Sequence, residues 1–241
     1  MRKLLSLLFI AGVFYGCSKK LDPQQQPVTY QPTTTTTPAT VGNLSYLALG
    51  DSYTFGQEVE TSKTYPYQLA ARLTAAHHPV SSVKVIATTG WTTDELIKGI
   101  NASDTQGKTY DIVTLLIGVN NQFRGYPKDV YRTEFAQLLN TAIAYANGNK
   151  RRVFVLSIPD WGATPFANGR NLEKLSEDIA AFNAINKSET DKQGVAYIDI
   201  TGISTKAATD ASLTAGDGLH PSAAMYSLWV QQLAPVVLSH L

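Results

Sequence analysis

The sequence predicts an α/β fold, a three-layer α/β/α sandwich built on a five-stranded parallel sheet. Strand-like and helix-like segments alternate along the chain from residue 44 onward, the pattern of repeated βαβ units joined by right-handed crossovers. The strand-like segments are short continuous runs rich in Val, Ile and Leu, as required of strands covered on both faces. About 200 residues carry this pattern, the size of one compact domain, and no internal repeat divides them.

Taken in order, strands are predicted over 44–49, 83–87, 112–117, 152–158 and 195–200. A helix marked by Leu69 and Leu73 follows the first strand, and a short one with Leu96 and Ile100 follows the second. Phe135, Leu138, Leu139, Ala142 and Ile143 form the apolar stripe of a third helix, and Leu175, Ile179, Phe182 and Ile185 that of a fourth. Both stripes repeat at three- and four-residue spacings. Met225, Leu228 and Trp229 mark the last helix, which Pro235 is expected to kink or divide, because proline lacks the amide that a helix interior needs.

In sheets of this kind ligands bind beyond the carboxyl ends of the strands, and four short motifs fall there. Leu49-Gly50-Asp51-Ser52 ends the first strand, Gly90 follows the second, Gly118-Val119-Asn120 follows the third, and Asp217-Gly218-Leu219-His220 lies beyond the fifth. A serine on a tight strand-to-loop turn, taken alone, is equally a turn residue. The histidines decide otherwise. His77 and His78 precede Pro79 at a helix end, where they read as capping or solvent-facing, and His240 sits at the C-terminus. Pro221 biases His220 toward extended backbone at the entrance of the last helix.

With a turn at Gly218, the carboxylate of Asp217 can fold back on the His220 imidazole, leaving that ring to take a proton from Ser52. Asp160 and Asp199, near other strand ends, are rivals for the acid position. The backbone amides of Ser52 and Gly90 and the side-chain amide of Asn120 are the candidate donors to a developing oxyanion. Asn121 competes with Asn120 for that place. Only one of two adjacent side chains can reach the cleft, and Asn120 is the expected one, so replacing Asn121 by Ala is expected to be mild for catalysis. This inventory is what acyl transfer from an ester requires, with Ser52, His220 and Asp217 as catalytic residues.

The ends are different in kind. Arg2 and Lys3 followed by the apolar run 4–15 read as an export signal over residues 1–16, too short for a membrane anchor. Gly16-Cys17 follows, the chain's only cysteine. This pair resembles a bacterial lipobox, which implies lipidation of Cys17. Residues 17–43 are rich in Pro, Gln and Thr, with too little apolar surface to repay ordering, and read as a tether carrying the domain 44–241. Loss of Arg2 and Lys3 leaves 18 basic against 19 acidic residues, so there is no basic footprint for nucleic acid. No His-Glu-x-x-His helix and no paired Cys and His ligands are present, so no metal and no cofactor are expected.

Gly50-Asp51-Ser52, Gly90, Gly118-Val119-Asn120 and Asp217-Gly218-Leu219-His220 together resemble the four sequence blocks of the SGNH, or GDSL, hydrolase family, from about residue 44 to the end. The resemblance implies a flavodoxin-like sheet, a Ser52-His220-Asp217 triad, an oxyanion hole of Ser52, Gly90 and Asn120, and no metal. Many carbohydrate-active members carry Asp after the Gly-x-Asn block, where Asn121 stands here. The expected protein is an exported, membrane-anchored bacterial lipoprotein and a monomer. Its expected activity is hydrolysis of short-chain carboxylic esters, including acetyl esters on glycans. The alternatives are a lysophospholipase or thioesterase on the same scaffold, or a catalytically idle binding lipoprotein. Tyr53, Phe55, Trp91, Phe123, Tyr126 and Trp161 are the aromatic residues predicted at the same rim.

Overall fold

The computed structural model describes residues 42–241. The expected signal segment, Cys17 and the expected tether as far as residue 41 lie outside them. Five parallel strands form one sheet: β1 (Leu44–Gly50), β2 (Val80–Ala87), β3 (Ile112–Leu116), β4 (Val153–Leu156) and β5 (Ala196–Ile198). Their spatial order is β2-β1-β3-β4-β5, the flavodoxin-like order, with its topological switch between β1 and β3. All of β3 and β4 is buried, which is why these strands read as uninterrupted apolar runs.

The longer helices are α2 (Tyr65–Ala75), α3 (Thr93–Asn101), α5 (Lys128–Tyr145), α6 (Leu172–Gln193) and α8 (Ala223–Leu238), and three short ones are α1 (Ser52–Phe55), α4 (Val119–Phe123) and α7 (Thr201–Ser204). Helices α2 and α8 pack on each other, and α5 packs on α3 and α6, giving the two outer layers of the sandwich. Each apolar stripe predicted for α5 and α6 is buried at Phe135, Leu138, Leu139, Ala142, Leu175, Ile179, Phe182 and Ile185. Among the described residues no helix is long and apolar enough to cross a membrane.

The differences from the predicted elements have physical causes in side-chain bonds and in the helix ends. Past Leu156 the Ser157 amide still bonds the Ile198 carbonyl at 2.9 Å, and strand β4 is then cut off because the Ile158 backbone groups bond to a side chain. The Ile158 amide donates to Asn183 Oδ1 at 2.7 Å, and the Asn183 side chain returns a bond to the Ile158 carbonyl at 2.9 Å. Strand β5 ends at Ile198 for the same reason, since the amides of Ile200 and Thr201 donate to Ser157 Oγ. Pro235 does not divide the last helix. It stands in the final turn of α8, where only the carbonyl of Gln231 loses its partner, and Gln231 is exposed to water. His77 adopts φ +66° just past α2, with the His78 amide bonded back to the Leu73 carbonyl at 3.0 Å. It is thus part of a helix C-terminal cap.

Candidate active site

Gly50 closes β1 where the chain turns sharply into α1. A Cβ there would stand 2.1 Å from Thr54 Oγ1 and 2.4 Å from the Leu116 carbonyl, so any other residue would push α1 away from β3. Asp51 caps α1, its Oδ1 accepting the Tyr53 amide at 3.0 Å. Ser52 is the first residue of α1, so its own amide has no acceptor within the helix. The serine is 4% exposed and opens on a pocket of about 200 Å³ lined by Ser52, Tyr53, Val119, Asn120, Phe123, Trp161, Phe166, Leu219 and His220.

His220 reaches this pocket from a loop that is itself tied down. Thr214 and Pro221 form an antiparallel bridge, and the Ala215 amide donates to the His220 carbonyl at 2.7 Å. Between them Gly218, at φ +68°, makes the turn, a left-handed conformation that glycine adopts without steric cost. That turn folds Asp217 back. Its Oδ1 accepts the amides of Leu219 and His220 at 2.9 and 3.0 Å, and its Oδ2 lies 2.5 Å from His220 Nδ1. Partial burial works against the charged form of Asp217. The hydrogen bonds from the His220 ring and from these two amides outweigh it and hold the carboxyl below the usual range. The Tyr53 ring meets the imidazole edge-on, 5.9 Å between centroids.

The rival carboxylates are engaged elsewhere. Asp160 caps a short 3-10 turn through Gly162 and accepts Ser176 Oγ, and Asp199 accepts Ser157 Oγ and the Thr201 amide. Neither bonds a histidine. His240 is bonded to the Arg151 carbonyl at the C-terminal end of the chain.

The two asparagines of the third motif part company. Asn120 lines the pocket and donates from Nδ2 to the Trp91 carbonyl at 2.9 Å, a bond that uses one of its two hydrogens. Asn121 is 0% exposed and turns to the other side, accepting the Thr93 amide at 3.1 Å and donating to Thr93 Oγ1 at 2.8 Å. Asn121 is absent from the pocket lining, and its buried amide pins the segment after β2 to α4. Gly90 lies one residue before Trp91 at φ +87° and does not line the pocket. Its carbonyl accepts Arg124 at 2.7 Å, and Arg124 also pairs with Glu95.

Of the six aromatic residues predicted at the rim, Tyr53, Phe123 and Trp161 line the pocket. Phe55 is 53% exposed outside it, Trp91 lies against Gly99 of α3, and the Tyr126 amide caps the Asn121 carbonyl. Phe166 was not foreseen. Its only sequence signal is Pro165, which opens a short 3-10 turn five residues beyond Asp160.

Beneath the serine, Asp51 is buried and its Oδ2 has no hydrogen-bond partner among the described residues. Burial pushes its carboxyl up to about 7, against the opposing pull of the Tyr53 amide. Among the described residues no three His, Cys, Asp or Glu side chains come together as a metal-ligand set.

The family model of GDSL-like lipase/acylhydrolases matches residues 48–228. The chain belongs to that family. This GDSL-like chain is a carboxylic ester hydrolase, and its fold is shared with solved family structures of low sequence identity. TesA superimposes with a TM-score of 0.63 at 18% identity, covering 82% of this chain and 99% of that one. The psychrotrophic esterase EstA from Pseudoalteromonas sp. gives 0.61 at 15% identity, with 82% and 98% covered. The acetylxylan esterase Axe2 from Geobacillus stearothermophilus gives 0.61 at 18%, with 83% and 95% covered. No curated protein sequence matches the chain.

Proposed function

We propose that the protein hydrolyses short-chain carboxylic esters through an acyl-enzyme intermediate on Ser52. The observation that carries this reading is the meeting of Ser52, Asn120 and His220 in one pocket, with Asp217 bonded to the far nitrogen of the His220 ring. His220 takes the Ser52 proton as Oγ attacks the ester carbonyl, and then gives it to the departing alcohol. Asp217 fixes the tautomer and stabilises the imidazolium. The oxyanion is met by the Ser52 amide and by the Asn120 side chain, whose second hydrogen is not used by Trp91. Water then attacks the acyl-enzyme, with His220 again acting as base.

The size of the pocket supports a short acyl group. At about 200 Å³ it is smaller than the roughly 300–1,000 Å³ of sites that enclose larger ligands. Acetyl esters on glycans are the narrower reading. Its support is the acetylxylan esterase among the structural neighbours and the Phe123, Trp161 and Phe166 rings, which can stack on a sugar. We place the domain outside the bacterial cytoplasm, held to a membrane by lipid on Cys17 through the tether. Rates on 4-nitrophenyl esters of graded acyl length test the substrate class. Hydrolysis should be fastest with acetyl or butyryl and fall by about tenfold or more at dodecanoyl; a maximum at the long chains would overturn the short-acyl reading.

A further inference from the structure

Phe123, Trp161 and Phe166 line the pocket that holds Ser52 and His220. Trp161 is fixed by its Nε1 hydrogen bond to Gln122 Oε1 at 3.0 Å. Its ring centroid lies 5.5 Å from that of Phe123 and 6.0 Å from that of Phe166. Phe123 and Phe166 are 50% and 43% exposed, an apolar edge left open beside the nucleophile. The guanidinium of Arg170 stands 5.5, 5.1 and 5.3 Å from the centroids of Phe123, Trp161 and Phe166.

Arg124 and Arg132 have carboxylate partners, whereas among the described residues none pairs with Arg170. A guanidinium held over aromatic faces keeps its N–H fork free for a planar or tetrahedral anion. Its place decides which half of the ester it serves. Arg170 is exposed while Ser52 is buried, so an anion on the acyl group would have to enter the enclosed end and lose its water. An anion on the alcohol would stay at the open end, against Arg170.

We propose that Arg170 and the Phe123, Trp161 and Phe166 wall form the subsite for the alcohol part of the ester, and that this subsite selects alcohols bearing a carboxylate or phosphate over neutral ones. The inference rests on the esterase reading. It is tested with the full-length protein and three acetyl esters: phenyl acetate, 4-acetoxybenzoate and 4-acetoxyphenyl phosphate. Comparing wild type with Arg170→Gln on each substrate cancels differences between the leaving groups. Arg170→Gln should lower kcat/KM by about tenfold on the anionic esters and by less than about twofold on phenyl acetate. The anionic loss should shrink at ~0.5 M salt, and Arg170→Lys should recover part of it. A loss confined to one anionic ester supports the subsite and names its anion. Equal losses on all three esters, or no loss on either anionic one, would overturn the subsite. No wild-type turnover of phenyl acetate or of the anionic esters would remove the esterase reading, and the subsite with it.

Discussion

Asp217 Oδ2 lies 2.5 Å from His220 Nδ1, three residues along the same loop, and Asp217 Oδ1 holds the backbone amide of that same histidine. One carboxylate thus orients both the ring and the backbone of its partner. The other ring nitrogen is left for the pocket where Ser52 opens.

Asp217→Asn should therefore lower kcat by about a thousandfold or more, because the amide can stabilise the wrong tautomer and cannot balance an imidazolium. Asp160→Asn and Asp199→Asn, whose carboxylates bond loop amides and hydroxyls, should lower Tm with less than about a tenfold change in kcat. Steady-state kinetics of the three variants check this. A larger kcat loss in either rival would move the acid away from Asp217.

Asn120→Ala and Asn121→Ala should fail in different ways. The first removes a donor from the pocket and should reduce kcat by about a hundredfold or more with little change in KM. The second leaves the Thr93 amide and hydroxyl without their buried partner, costing about 1–3 kcal/mol and lowering Tm. Kinetics and thermal melts on the same samples separate the two. A stable Asn121→Ala protein with a selective kcat loss would reassign the donor.

The four motifs were legible because each is a single residue or a short run of adjacent residues at a turn, as at Gly218 with its positive φ between Asp217 and His220. The fold was legible because β3 and β4 are buried on both faces. What the sequence hid was settled by long-range contacts. The ends of β4 and β5 depend on Asn183 and Ser157 acting across the domain. The structural bond of Asn121 was not legible because its partner, Thr93, is 28 residues away. Phe166 joins the pocket through a 3-10 turn whose amide bonds the Gly218 carbonyl, a pairing that no local pattern announces.

Asp51 gives a prediction in pH. Its folded carboxyl is pushed from 3.8 to about 7 by burial, so between those values the folded state binds the proton more tightly than the unfolded chain. Stability contributed by this group is therefore full below about 4 and is lost as pH rises to about 7, by an amount on the order of a few kcal/mol. Asn at this position keeps an oxygen for the Tyr53 amide and carries no charge. The Tm of Asp51→Asn minus that of wild type should be largest near pH 8 and shrink toward pH 4. A difference that does not vary with pH would show that Asp51 is not the group responsible.

The central claim is that Ser52 forms the covalent intermediate, and the most direct measurement is intact-protein and peptide mass after reaction with a fluorophosphonate. The account predicts one adduct, located on Ser52, with loss of ester hydrolysis in step with labelling, and neither adduct nor hydrolysis in a folded Ser52→Ala protein. Hydrolysis that persists in Ser52→Ala, or an inactivating adduct on another residue, would contradict it.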